Sequence, residues 1–155
     1  MKPLVKTIVV LILISLCVSG SSRTASDRKF DEFGDINCED EWARLDNFAV
    51  HLQNEPAAHG YIIFYGGRRM RGRLPRRGEA AIRASRLKPY LVENRGIPSA
   101  QVVVVDGGFR ESWEAELWIV PPGAAPPSPT PTVSPGSVKF RKGGIKLRQF
   151  SCLMG

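Results

Sequence analysis

Six arginines fall within ten residues, Arg68, Arg69, Arg71, Arg73, Arg76 and Arg77, and they are the densest chemistry in this chain of 155. Gly66, Gly67, Gly72, Pro75 and Gly78 are interspersed with them, so the segment reads as a loop. Six guanidiniums cannot crowd together without counter-ions, so the loop must be solvated or meet an anion. The glycines let the backbone approach a ligand closely. Arg83 follows on a segment with helical spacing and adds one guanidinium on a fixed element, better pre-organised than those of the loop. Catalytic chemistry is not indicated. There is no nucleophile paired with a base and no phosphate-binding loop; Asp106 and Glu111 read as turn and surface residues. His51 and His59 lack partners at metal-ligand spacing, so neither a metal nor another cofactor is expected.

The N-terminus sets the compartment. Lys2 and Lys6 precede an almost unbroken apolar run, Ile8 to Val18, and Ser19, Gly20, Ser21 and Ser22 offer a cleavage site. Eleven residues are too few to span a bilayer, which takes roughly twenty. Residues 1–20 are therefore expected to be a secretory signal peptide, with the mature chain periplasmic or secreted. Leu16, rather than a small residue, precedes Cys17, which argues against lipid attachment. Without Lys2 and Lys6, the 22 basic side chains fall to 20 against 15 acidic ones, a net +5. Outside the cytoplasm such a surplus points away from nucleic acid and toward cell-wall polymers, anionic lipid headgroups or acidic proteins. The charge is also segregated: nine acids and three bases from Asp27 to Glu55, nine bases and one acid from Arg68 to Lys88. Cys38 and Cys152 would remain after cleavage, and spacing alone leaves their pairing open.

The elements that must carry these residues follow from periodicity. Residues 21–29 are polar and expected to be loose, with a short leading strand at Phe30 to Phe33. Glu39 to Gln53 places Trp42, Leu45, Phe48, Ala49 and Leu52 on one helical stripe. Tyr61 to Tyr65 and Val102 to Val105 read as buried strands. Glu79 to Glu93 reads as a second helix with Ala80, Ala84, Leu87 and Leu91 inward, broken or kinked by Pro89 against the carbonyl of Ser85. In Glu114 to Val120, Ala115, Leu117 and Ile119 alternate with a wetter face of Glu114, Glu116 and Trp118. The order β-α-β-α-β-β predicts an α+β sandwich, two helices on one face of a small mixed sheet, over residues 30–120. Its expected core includes Trp42, Leu45, Phe48, Ile62, Phe64, Leu87, Leu91, Val103 and Leu117. Residues 121–137 are rich in Pro, Ser and Thr and are expected to form an extended, solvated linker. Residues 138–155 form a basic tail whose alternation about Gly143-Gly144 allows a β-hairpin.

Leu45 to Pro56, Tyr61 to Gly67 and Glu79 to Glu111 together resemble the OmpA-like C-terminal domain. The most specific match is Arg83-Ala84, then Leu87, Tyr90-Leu91 and Gly96-Ile97. The resemblance spans about 90 residues and implies non-covalent binding of peptidoglycan in the cell envelope. It also implies that Arg83 neutralises the carboxylate of the peptide stem. Two features depart from the family. Its aspartate after the second strand is replaced by Gly66-Gly67-Arg68-Arg69, and its arginine before the last strand by Trp113 and Glu114. Two expectations follow. One is an exported, non-catalytic module that binds peptidoglycan or another anionic envelope polymer through Arg83 and the arginine loop. The other is an envelope protein-interaction adaptor, using the acidic first helix and Trp42, in which the peptidoglycan site has decayed.

Overall fold

The computed structural model describes residues 28–145. The signal-like segment, residues 21–27 and the tail beyond Ile145, with its share of the possible hairpin, lie outside the described residues. The elements are β1 (Arg28–Phe33), α1 (Cys38–Asn54), β2 (His59–Gly67), α2 (Glu79–Ala84), a single turn α3 (Leu87–Pro89), β3 (Val102–Arg110) and β4 (Glu114–Val120). They form an α+β sandwich on a four-stranded mixed sheet of order β1-β4-β2-β3. β2 is central, parallel to β3 and antiparallel to β4, while β1 is an edge strand antiparallel to β4. Because β1 begins at Arg28, the last two residues of the segment expected to be loose belong to the sheet.

Local chemistry explains the helices. The Asn37 side chain accepts the Asp40 N–H at 2.9 Å, and Glu39, Asp40 and Glu41 occupy the first turn of α1, where the helix dipole favours negative charge. Leu45, Phe48, Ala49 and Leu52 then pack inward against Ile62, Leu117 and Ile119. The second helical segment breaks at Ser85 and Arg86 rather than merely kinking, as Pro89 requires. It resumes at α3 and passes into a π turn, Tyr90–Asn94. Leu87 and Leu91 nevertheless reach the core. Trp42 and Val103 are only half-buried, so the core is smaller at those two positions than their periodicity implies.

The face of the sheet away from the helices corrects two expectations. Glu116, assigned to a wet face, is 2 % exposed. Its carboxylate accepts hydrogen bonds from Lys29 at 2.9 Å, Arg110 at 2.9 Å, Tyr65 at 3.2 Å and Trp118 at 3.1 Å. Buried carboxylates persist only with such partners. Residues 121–137, expected to be a solvated spacer, are exposed over most of their length, but residues 130–133 fold back along this face. Pro127 and Val133 are buried, and Val133 forms an antiparallel bridge to Phe109. The apolar valines and an available carbonyl on an edge strand outweigh the solvating tendency of the prolines. In the described part of the tail, 138–145, no strand forms; Val138 is buried and Phe140 packs edge-on against Phe109. Cys38 is disulfide-bonded, and its partner lies outside the described residues.

Candidate functional site

The arginine loop is anchored by a two-residue reversal. Met70 and Arg73 exchange backbone hydrogen bonds of 2.8 and 3.0 Å across Arg71 and Gly72, whose φ angles are 48° and 74°. Positive φ at both central positions suits a tight hairpin turn, and Arg71 accepts the left-handed strain that Gly72 avoids. Behind the turn, Arg83 is 4 % exposed on α2. It donates to Asp35, in the loop between β1 and α1. Arg71 reaches the same carboxylate through Nε at 2.6 Å and Nη2 at 3.2 Å. The Arg83 guanidinium lies 4.2 Å from the centre of the Trp113 ring. Asp35 thus serves both guanidiniums, while Trp113 covers Arg83.

A second pair holds the far end of the loop. Arg73 grips the buried Glu79 with Nη1 to Oε2 at 3.0 Å and Nη2 to Oε1 at 2.5 Å, and Glu79 also accepts the Arg76 N–H at 2.7 Å. Glu41 accepts Arg86 at 2.9 and 2.5 Å and stands 4.0 Å from Arg83. Burial pushes the Asp35 and Glu79 carboxyls up, but the Arg71 and Arg83 hydrogen bonds to Asp35, and the Arg73 and Arg76 bonds to Glu79, hold both below the ordinary range. Burial lowers the Arg83 pKa, partly offset by its bond to Asp35. An arginine remains ionised through such shifts.

Arg68, Arg69 and Arg77 face outward. Arg68 pairs with Glu111 at 3.1 Å with both side chains well exposed. Arg69 is exposed and fixed by its backbone N–H to the Glu111 carbonyl at 3.1 Å. Arg77 is exposed, 4.8 Å from the Phe140 ring. Arg76 is half-buried beside a cavity of about 170 Å³ lined by Phe64, Met70, Arg77, Phe109 and Phe140. The loop, expected to be solvated or to meet an anion, meets Asp35, Glu79 and Glu111 of its own chain.

Sequence reasoning named the seven arginines but missed the carboxylates that arrange them. Asp35 looks like any acid in a surface loop, and only its proximity to a turn after a strand hinted at a role. Among the described residues, no group of three His, Cys, Asp or Glu side chains is placed to hold a metal ion. No described helix is long and apolar enough to cross a membrane. No model of a known protein family matches the chain, and no curated protein matches it. The OmpA-like likeness accordingly rests on the sequence motifs.

Proposed function

We propose that the protein is an exported, non-catalytic binding module of the cell envelope, periplasmic or secreted, that holds peptidoglycan or another anionic envelope polymer against its arginine loop. The supporting observation is the division among the arginines. Arg83 and Arg73 are committed to the partly or fully buried acids Asp35 and Glu79. Arg68, Arg69, Arg71 and Arg77 are exposed on the same loop. In this reading Arg83 positions the surface: it fixes Asp35, and Asp35 in turn fixes Arg71. Exposed cations screened over about 8–10 Å at physiological ionic strength would make such binding strongly salt-dependent. Sedimentation with purified, peptide-intact sacculi at low and moderate salt tests it. Binding that weakens with salt supports the proposal, and no binding at either salt removes it.

One observation favours the second reading, an envelope protein-interaction adaptor. The guanidinium aligned with the family's stem-binding arginine is already neutralised by Asp35 and covered by Trp113. A soluble acidic protein partner captured without any affinity for sacculi would favour it.

A further inference from the structure

The sheet face opposite the helices holds the segment around Thr130 as a binding groove holds a peptide. The groove is built by the strands themselves. Arg110 lies 3.6 Å over the Tyr65 ring and is fixed by Glu114 at 2.5 Å and Glu116 at 2.9 Å, while Tyr65 donates to Glu116. Onto these groups the segment places its hydrogen bonds. Arg110 donates to the Thr130 hydroxyl at 2.7 Å and to its carbonyl at 3.3 Å, and the Thr130 N–H reaches the Tyr65 hydroxyl at 3.1 Å. The Thr132 and Val133 N–H groups both reach the Phe109 carbonyl at 3.0 Å. Pro131 sits where a side chain at Gly108 would be, 3.2 Å from that position, and Val133 is 6 % exposed. Gly108 has φ 86°, so glycine serves both the backbone and the close approach.

We infer that this face is a recognition groove for an extended Thr-Pro-Thr-Val segment, occupied in the single chain by residues 130–133 and open to the same segment on another chain. Three features carry the assignment. Backbone hydrogen bonds to an edge strand combined with a side-chain pocket are how sheets bind extended peptides. A charged donor placed on one hydroxyl gives the groove a sequence preference. The connection to β4 is exposed at residues 122, 123, 125 and 126, and Gly123 has φ 80° with open space around it, so the segment is tethered rather than embedded. A short tether supplies an effective concentration of about millimolar, so the chain's own segment holds the groove until the tether is cut or displaced.

The test uses the full chain with a site-specific protease sequence inserted at Gly123, intact or cleaved, both kept in dithiothreitol so that the Cys38 disulfide tethers neither form, and a fluorescein-labelled peptide of residues 126–141. Anisotropy should show the cleaved protein binding this peptide about tenfold or more tightly than the intact protein, because the competing segment has lost its tether. A peptide carrying Thr130→Val should bind about tenfold more weakly, since it loses a hydrogen bond to a charged donor. If the cleaved protein keeps its circular dichroism yet binds neither peptide, or binds both equally, the groove is not a recognition site. If cleavage unfolds the protein, the segment is part of the core and the inference is equally overturned.

Discussion

The Arg83 guanidinium and the Trp113 ring face each other 4.2 Å apart, with both side chains buried. Trp113 and Glu114 occupy the place where the OmpA-like resemblance would have a second arginine. Two buried arginines side by side need an anion between them, whereas an aromatic face attracts the one cation that remains. Asp35 completes the arrangement by accepting a hydrogen bond from Arg83. The result is a cation held by its own chain, behind a turn that keeps other cations exposed.

Asp35→Ala leaves the buried Arg83 without its hydrogen-bonded acid and should destabilise the fold by about 3 kcal/mol. Adding Arg83→Met to the same chain should recover part of that loss, because the uncompensated charge disappears with it. Urea unfolding of the two single variants and the double variant measures the coupling. Strictly additive losses would show that the pair does not interact in the way described.

Asp35, Glu79 and Glu116 all have folded pKa values held below the ordinary range by arginine and lysine partners, against the opposing effect of burial. A carboxyl lowered in the folded state contributes stability that is fully present above its unfolded pKa of roughly 4. That contribution is lost as pH falls through the folded value. The urea midpoint should therefore be nearly flat from about pH 5.5 to 7 and fall steadily below about pH 4. A midpoint that rises on acidification would contradict these ion pairs.

Gly67 has no room for a side chain. A Cβ there would lie 2.3 Å from the Arg69 carbonyl oxygen and 2.6 Å from the Trp113 amide nitrogen, both backbone atoms that cannot swing aside. Gly67→Ala should cost about 2 kcal/mol or more, as overpacked sites do. Gly136→Ala, where nothing lies within 4 Å, should be within about 0.5 kcal/mol of wild type. Thermal unfolding of both variants checks the contrast.

Limited proteolysis should cut first at residues 122–126, which are largely exposed, and spare 130–133, whose N–H groups are bonded to Tyr65 and the Phe109 carbonyl and where Val133 is buried. Mass mapping of the first fragments reads this directly. Initial cuts spread evenly over 127–138 would mean that the segment is not docked.

Much of the fold was legible because its periods are unambiguous. The stripe Leu45, Phe48, Ala49, Leu52 admits only a helix packed on one side, and β4 matches its expected bounds of Glu114–Val120. What the alternation in β4 concealed was the second buried face. Glu116 reads as a solvent-facing acid until Arg110, Lys29 and Tyr65 converge on it, and those contacts span up to 87 residues of chain. The Pro-rich composition of 121–137 likewise describes how a segment behaves alone, not whether an edge strand will capture it. The arginine loop was visible from composition, but its order comes from Asp35, which no local pattern distinguishes. Pair geometry between distant residues is the information that periodicity lacks.

The most direct test of the loop as a polymer-binding surface is sacculus co-sedimentation of the Arg69→Glu/Arg77→Glu double variant beside wild type. Both positions are exposed and neither reaches Asp35 or Glu79 among the bonds that order the loop, so the fold should stand. Exposed charges are worth up to about 1 kcal/mol each, so reversing two should weaken binding by about tenfold or more. Wild-type binding should itself decline as salt is raised. A double variant that sediments with sacculi as well as wild type, at low and at moderate salt, would contradict the account.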